Sequence, residues 1–323
     1  MATLVASIYW GAARIVTMFA RAVRISALIQ LVLGAGAGVW VALLACPSWV
    51  GVVLLPLLCV AVLAAFPHLV IVLATMALSG SPAAGRWRAI LGEWGTMLWV
   101  FWVGVPWSDA SPTYVRSSLP DSSRLPIVLV HGFFCNHKIW TKMAHVLRRA
   151  GHDVLAVDLE PLFAPIDDYV PTVEQAIATV LERSHAPRAI LVGHSMGGLV
   201  IRAWMRTHGA ARADRVLTLG SPHWGTWLAR VLPFAANCRQ MMQRSNWLHA
   251  LHASESPETW ERICVAKTQH DNIVFPNDAP LPTHPVDTIF TGVGHMQLCF
   301  DDAVVDWVVL HCQGSVSSAG FAR

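Results

Sequence analysis

The stretch Ala189-Ile190-Leu191-Val192-Gly193-His194-Ser195-Met196-Gly197-Gly198-Leu199-Val200-Ile201 decides the fold. Its first four residues are apolar, follow Pro187-Arg188 and read as a short buried strand. Past the glycines, Leu199, Val200, Ile201, Ala203, Trp204 and Met205 recur at the spacing of a buried helix. Between strand and helix, Gly193-His194-Ser195-Met196-Gly197 leaves room only for a sharp turn. Glycines two residues to either side of the serine admit neighbouring backbone. A serine at such a corner is presented as a nucleophile.

Outward from this corner, short branched runs alternate with amphipathic ones. Strands are expected at 127–130, 154–157, 190–192, 216–219, 263–266 and 288–290, and helices at 139–149, 173–183 and about 303–311. Such alternation implies an α/β fold, a mostly parallel, doubly wound sheet with helices on both faces.

A serine nucleophile needs a base, a group to orient the base, and donors for the developing oxyanion. His295, in Thr291-Gly292-Val293-Gly294-His295, follows the last strand directly and is the candidate base among 15 histidines. Asp271, in Thr268-Gln269-His270-Asp271-Asn272, stands where the preceding strand gives way to a loop and is the candidate acid. Asp278, between Pro276 and Pro280, and Asp287, at the start of a strand, are its alternatives; His270 reads as a neighbour without a role. The oxyanion donors are expected to be the backbone N–H groups of Met196 and of Phe133, in His131-Gly132-Phe133-Phe134. His131 reads as a brace for that loop. Because a backbone donor survives side-chain change, Phe133→Ala is expected to harm turnover less than Ser195→Ala.

Composition sets this chemistry against a membrane. Hydrophobic residues make up 54% of the 323 and charged residues 13%, about half the roughly 25% of soluble domains. A net charge of +3 without a basic cluster gives nucleic-acid binding no support. Seven cysteines without a C-x-x-C pair suggest neither a zinc site nor a redox motif, and the odd number leaves one thiol free unless chains are cross-linked.

After Arg14, Arg21 and Arg24, residues 25–45 are uncharged and match the ~20 apolar residues that cross a bilayer. Gly34 and Gly38 would let another helix approach closely. Cys46 after Leu43-Leu44-Ala45 has the look of a lipoprotein processing site, but Pro47 and a second apolar stretch, 50–78, follow at once. That stretch, broken by Pro56, Pro67 and His68, reads as one kinked span, or as a span with a short interfacial piece. Residues 90–107, with Trp94, Trp99, Trp102, Trp107 and Glu93, read as an interfacial segment or a third short span. Two spans would leave the rest of the chain on the side of the arginines, and three would send it across. The expected organisation is a helical anchor over 1–107, a linker over 108–125, a catalytic domain over 126–312 with a cap insertion at about 227–260, and a tail over 313–323. The expected location is a bacterial-type inner membrane.

Together, His131-Gly132-Phe133, Gly193-His194-Ser195-Met196-Gly197-Gly198-Leu199-Val200, Thr218-Leu219-Gly220-Ser221-Pro222-His223-Trp224-Gly225-Thr226, Asp271-Asn272-Ile273-Val274 and Gly294-His295 resemble bacterial lipases and esterases of the α/β-hydrolase superfamily. They are similar also to the lipase-like domain of inositol deacylases. The resemblance covers about 125–312 and leaves the anchor outside it. It implies hydrolysis of carboxylic esters, often of lipids, with Ser195 as nucleophile, His295 as base and Asp271 as its orienting acid. It implies also that the insertion caps the site, with Phe134, Trp224, Trp227 and Leu228 meeting substrate. Calcium-dependent relatives carry an aspartate shortly after the catalytic histidine, where this chain has Met296-Gln297-Leu298. No metal or cofactor is therefore expected, and the expected partners are an ester or lipid substrate and the bilayer. A hydrolase-type acyltransferase or thioesterase and a catalytically silent membrane scaffold are the alternatives; the H-x-x-x-x-D pattern of glycerolipid acyltransferases is absent.

Overall fold

Strand β4 (Ala189–His194) is buried along its whole length and lies in the middle of a seven-stranded sheet. In the computed structural model, which describes residues 18–45, 48–108, 113–119, 124–276, 286 and 288–313, this strand carries the serine corner out of the sheet. Arg14, Cys46, Asp278, Asp287 and the tail from 314 onward lie outside the described residues. The other strands are β1 (Thr113–Val115), β2 (Ile127–Val130), β3 (Val154–Val157), β5 (Ala213–Leu219), β6 (Ile263–Thr268) and β7 (Thr288–Phe290), in the spatial order β1-β3-β2-β4-β5-β6-β7. β1 runs antiparallel to β3, and every other neighbour is parallel.

The branched runs have a physical cause. Both faces of a parallel sheet are covered, so both sets of alternating side chains must be apolar. Val128, Leu155 and Leu191 point into one core together with Val173 and Ile177 of α5 (Val170–Ser184) and Leu199 and Val200 of α6 (Met196–His208). Their neighbours Ile127, Leu129, Ile190 and Val192 join the opposite core with Met143 and Leu147 of α4 (Thr141–Arg149) and Val304 and Val308 of α10 (Asp302–Gln313). The insertion after β5 forms a 3-10 turn (Trp227–Val231) and three short helices, α7 (Ala236–Met241), α8 (Asn246–Ala253) and α9 (Pro257–Trp260). Six cysteines fall among the described residues, and all six are free thiols.

The stretch 108–125 is more than a linker. It contributes β1, an edge strand whose Tyr114 pairs with Leu155 and whose hydroxyl meets the Asp153 carboxylate. Ser117 N–H donates to the other oxygen of that carboxylate at 2.7 Å.

The N-terminal part opens with α1 (Met18–Ala45) and α2 (Trp49–Leu78), an antiparallel hairpin. α2 is one continuous helix in spite of Pro56 and Pro67. Among the described residues these two helices are long and apolar enough to cross a membrane. Their outer faces are exposed, with Leu28, Leu33, Leu44, Leu57 and Phe66 all open. Gly34 and Gly38 set the contact between them: a Cβ at Gly38 would lie 2.3 Å from Pro56 Cα, and one at Gly34 2.8 Å from Val60 Cα. Gly38→Val is therefore expected to destabilise the hairpin by about 1–3 kcal/mol, the usual range for overpacking. Thermal unfolding in detergent is the measurement, with Gly36→Val, where nothing lies within 4 Å, as the neutral comparison.

The third apolar segment packs against the rest of the chain. It forms α3 (Arg86–Trp99), 14 residues long, and a π-helical turn at Val100–Gly104. α3 lies between the hairpin and the α/β domain. Trp94 Nε1–H donates to Ala65 O of α2 at 2.9 Å, the Trp99 ring meets Phe300 at 5.2 Å, and Glu93 is fully buried. Trp94 and Trp99 are thus packing residues, the first against α2 and the second against the α/β domain.

Candidate active site

Ser195 sits between β4 and α6 with φ 54° and ψ −126°, a backbone conformation that non-glycine residues rarely hold. Tight packing imposes it. A Cβ at Gly197 would lie 2.1 Å from Val130 O, so β2 crosses the turn at a distance only glycine tolerates. Ser195 N–H donates to Leu219 O at 2.9 Å, tying the corner to the end of β5. The N-terminal end of α6 begins at the next residue and carries the helix's partial positive charge.

The loop after β2 runs against the serine: a Cβ on Gly132 would lie 2.6 Å from Ser195 Cβ. Within that loop Phe133 is half-buried, and Phe134 is 36% exposed with φ 54°. Among the described residues neither Phe133 N–H nor Met196 N–H has a hydrogen-bond partner. His131 braces the loop. Its Nε2 accepts the Leu159 N–H at 3.0 Å, which leaves its Nδ1–H to donate to Gly132 O at 2.7 Å. Burial lowers the His131 pKa, in keeping with a neutral ring.

Asp271 and His295 meet across the end of β5. His295 Nδ1–H donates to Asp271 Oδ2 at 2.9 Å, while Asp271 Oδ1 accepts from Ile273 N–H at 2.9 Å and Val274 N–H at 2.7 Å. Both carboxylate oxygens are thus used as acceptors in a group 2% exposed. A Cβ at Gly220 would lie 3.2 Å from both Asp271 Oδ2 and His295 Nδ1, so the pair rests on the residue that follows the serine's own backbone acceptor, Leu219. His194 closes the arrangement from beneath: its Nε2–H donates to His295 O at 3.0 Å, and the two rings lie 4.7 Å apart. Burial, together with the charge of His295, holds the His194 pKa well below the ordinary value, which keeps the ring neutral in this role. The described hydrogen bonds join Asp271 to His295 but do not include one from Ser195 Oγ to His295.

Burial works to lower the His295 pKa, but the charge and hydrogen bond of Asp271, joined by the charge of Glu93, hold it above 6.5. A base must be neutral to take a proton. Activity is accordingly expected to fall as pH drops through a midpoint above 6.5, read as the acid limb of a kcat/KM profile.

The residues expected to meet substrate are placed differently from one another. The Trp227 ring is 40% exposed and lies parallel to Phe275 at 6.0 Å; Leu228 is half-buried behind it. Phe134 joins Phe163 and Phe234 in a partly exposed aromatic group, with ring centroids 6.1 and 5.6 Å apart in succession. Trp224 instead stacks on His252 of α8 at 4.0 Å and lines a small cavity bordered by Ser221, His223, Pro276 and Asp271. That cavity adjoins the acid and does not include Ser195 among its walls. Among the described residues no cluster of His, Cys, Asp or Glu could hold a metal ion.

Sequence reading gave no role to His194, Asn272 and Glu93, and it read His270 as a neighbour without a role; the structure builds all four into this region. His270 is fully buried. Its Nδ1 accepts Gly292 N–H at 2.9 Å, and its Nε2–H donates to Ala84 O at 2.9 Å, so it clamps the acid loop to the histidine loop and to the connection between α2 and α3. The available signal for Glu93 was its isolation as the sole acidic residue in 1–107.

A parallel sheet with a strained serine between β4 and α6, and an imidazole and carboxylate gathered over the ends of the next strands, defines an α/β hydrolase. The pattern of the alpha/beta hydrolase family matches residues 127–314, and the chain belongs to that family. It is 29% identical over 100 residues to the AB hydrolase superfamily protein YisY of Bacillus subtilis, a match spanning 30% of this chain and 37% of that relative. The fold is similar to that of mature lipase BlEst2 of Bacillus licheniformis, at TM-score 0.51 and 18% identity, covering 64% of this chain and 100% of that one. It is similar also to lipase B of Aspergillus fumigatus, at TM-score 0.50 and 13% identity, covering 61% of this chain and 54% of the other. At these identities the structural likeness is one of fold.

Proposed function

We propose that this protein is a membrane-anchored serine hydrolase of carboxylic esters, with lipid esters as its substrate class. The observation that carries the proposal is the buried Asp271–His295 pair resting on Gly220, one residue past the backbone acceptor of the strained Ser195. His295 Nε2 takes the Ser195 proton as Oγ attacks the ester carbonyl. The N–H groups of Met196 and Phe133 receive the oxyanion, helped by the positive end of α6. Collapse releases the alcohol, protonated by His295, and leaves an acyl-serine. Water, deprotonated by the same imidazole, then frees the acid. Asp271 holds the ring with Nε2 facing the serine and offsets the charge of the imidazolium.

The lipid preference draws support from two features: the exposed apolar faces of α1 and α2, and the aromatic group of Phe134, Phe163 and Phe234 near the serine loop. Phe134 also meets Phe19 at the start of α1, with ring centroids 5.7 Å apart. A tether that holds the enzyme on the bilayer raises the local concentration of a membrane-resident ester.

A serine-directed fluorophosphonate tests the reading. Labelling of the wild-type chain and its loss in Ser195→Ala are expected; equal labelling of both would remove the claim.

A further inference from the structure

We propose that Glu93 is a positioning residue of the active site: its carboxylate, delivered by α3, holds the loop that carries His295 and places a second negative charge beside the imidazole. This rests on the triad reading above. The carboxylate is fully buried. Its Oε1 accepts Met296 N–H at 3.0 Å and its Oε2 accepts Gln297 N–H at 3.0 Å. On the other side of the histidine, a Cβ at Gly294 would lie 2.5 Å from Glu93 Oε2. One side chain therefore grips His295 from both flanks. Residues Met296–Cys299 form a 3-10 turn with His295 at its cap position. Glu93 meets the unpaired N–H groups at the start of that turn, as an N-terminal capping carboxylate does, but from 203 residues away.

Neighbouring contacts repeat the pattern along the N-terminal part. Asn272 Oδ1 accepts His295 N–H at 3.3 Å, and the same amide donates to Thr75 Oγ1 of α2 at 2.9 Å. His270 bridges Gly292 to Ala84. Thr75, Ala84 and Glu93 thus touch the acid and histidine loops at three successive points. A tether requires one point of attachment and no buried carboxylate. Burying a charge unmet by donors is unfavourable, and here two N–H groups and an adjacent imidazole meet it.

The charges that face this pair come from several elements. His295 sees Asp271 from the acid loop, Glu93 from α3 and the neutral His194 from β4. Glu93 sees His295 and Asp271, and it faces the buried thiols Cys135 and Cys299. Burial, joined by the charge of Asp271, holds the Glu93 carboxyl above the usual carboxylate range, while His295 and the two N–H donors pull it down and favour its ionised form. A negative Glu93 stabilises the imidazolium formed as Ser195 is deprotonated. Removing that charge favours neutral His295, so the acid limb moves to lower pH even as the transition state is less well supported.

The test is the second-order rate of fluorophosphonate labelling of the full chain in detergent micelles, from about pH 5 to about pH 9, for wild type, Glu93→Gln and Glu93→Asp. Glu93→Gln keeps one acceptor oxygen and no charge. Its plateau rate is expected about tenfold lower, in line with loss of one charge-assisted hydrogen bond, with its acid midpoint displaced to lower pH. Glu93→Asp keeps the charge but stops a methylene short of the N–H pair, so a lower plateau without a downward displacement is expected. Wild-type rate and midpoint in Glu93→Gln would overturn the proposal, and so would a lower rate with an unmoved midpoint, which marks packing alone. Should Glu93→Gln not fold, a wild-type plateau in Glu93→Asp overturns it. Labelling that persists in Ser195→Ala would instead sink the triad reading, and this one with it.

Discussion

Ser195→Ala is expected to lower ester turnover by about 10⁶-fold, the loss found when a triad serine hydrolase is left with only its oxyanion donors and binding surface. The nearby hydroxyl of Ser221 is buried against α6, where a Cβ at Gly198 would lie 2.1 Å from its Oγ. Stability should move the other way for a related variant. Holding a non-glycine residue at φ 54° and ψ −126° stores about 1–3 kcal/mol, whereas glycine's extra unfolded-state entropy costs about 0.5–1 kcal/mol. Ser195→Gly is therefore expected to gain about 1 kcal/mol, read as a higher unfolding temperature. A lower temperature would show that the corner is unstrained.

Asp271→Asn is expected to lower turnover by about 10⁴-fold, and the hydrogen bonds around it say why. Oδ1 accepts two backbone N–H groups, so an asparagine keeps its oxygen on that side. Its NH₂ then faces His295 Nδ1, which must become the acceptor. The ring proton moves to Nε2, the atom that has to receive the serine proton, and the wrong tautomer is locked in place. Loss of the carboxylate also removes the principal influence raising the His295 pKa, so the residual activity should persist to lower pH than in wild type. The kcat/KM profile of the variant measures both effects. Asp271→Asn with near-wild-type turnover would mean that the orienting acid lies elsewhere.

Much of this was written locally in the chain. β2, β3 and β4 are short branched runs because a strand buried on both faces has no polar side to reveal, and their centres were legible for that reason. The serine corner was legible because glycine spacing records how closely backbone must pass, and Val130 O does pass where a Cβ at Gly197 would stand. β1 left no comparable mark. It is three residues long and is joined to the sheet through backbone pairing with β3 at the edge. The segment around α3 misled for a different reason. Tryptophans and apolar residues at helical spacing record removal from water but not whether lipid or protein removes them.

By itself, then, the order of residues determined the parallel α/β sheet, the turn that lifts Ser195, the family and the two long apolar helices, because each is dictated by contacts within a few residues or by composition over a window. Only the tertiary structure decided that α3 docks on the α/β domain, that His270 and Asn272 tie the loops of Asp271 and His295 to the N-terminal part, and that Glu93 lies beside His295. Those pairings join residues up to 204 positions apart. Nothing in local periodicity specifies them; they exist because packing α3 against the domain brings a lone carboxylate to the unpaired N–H groups of the histidine turn.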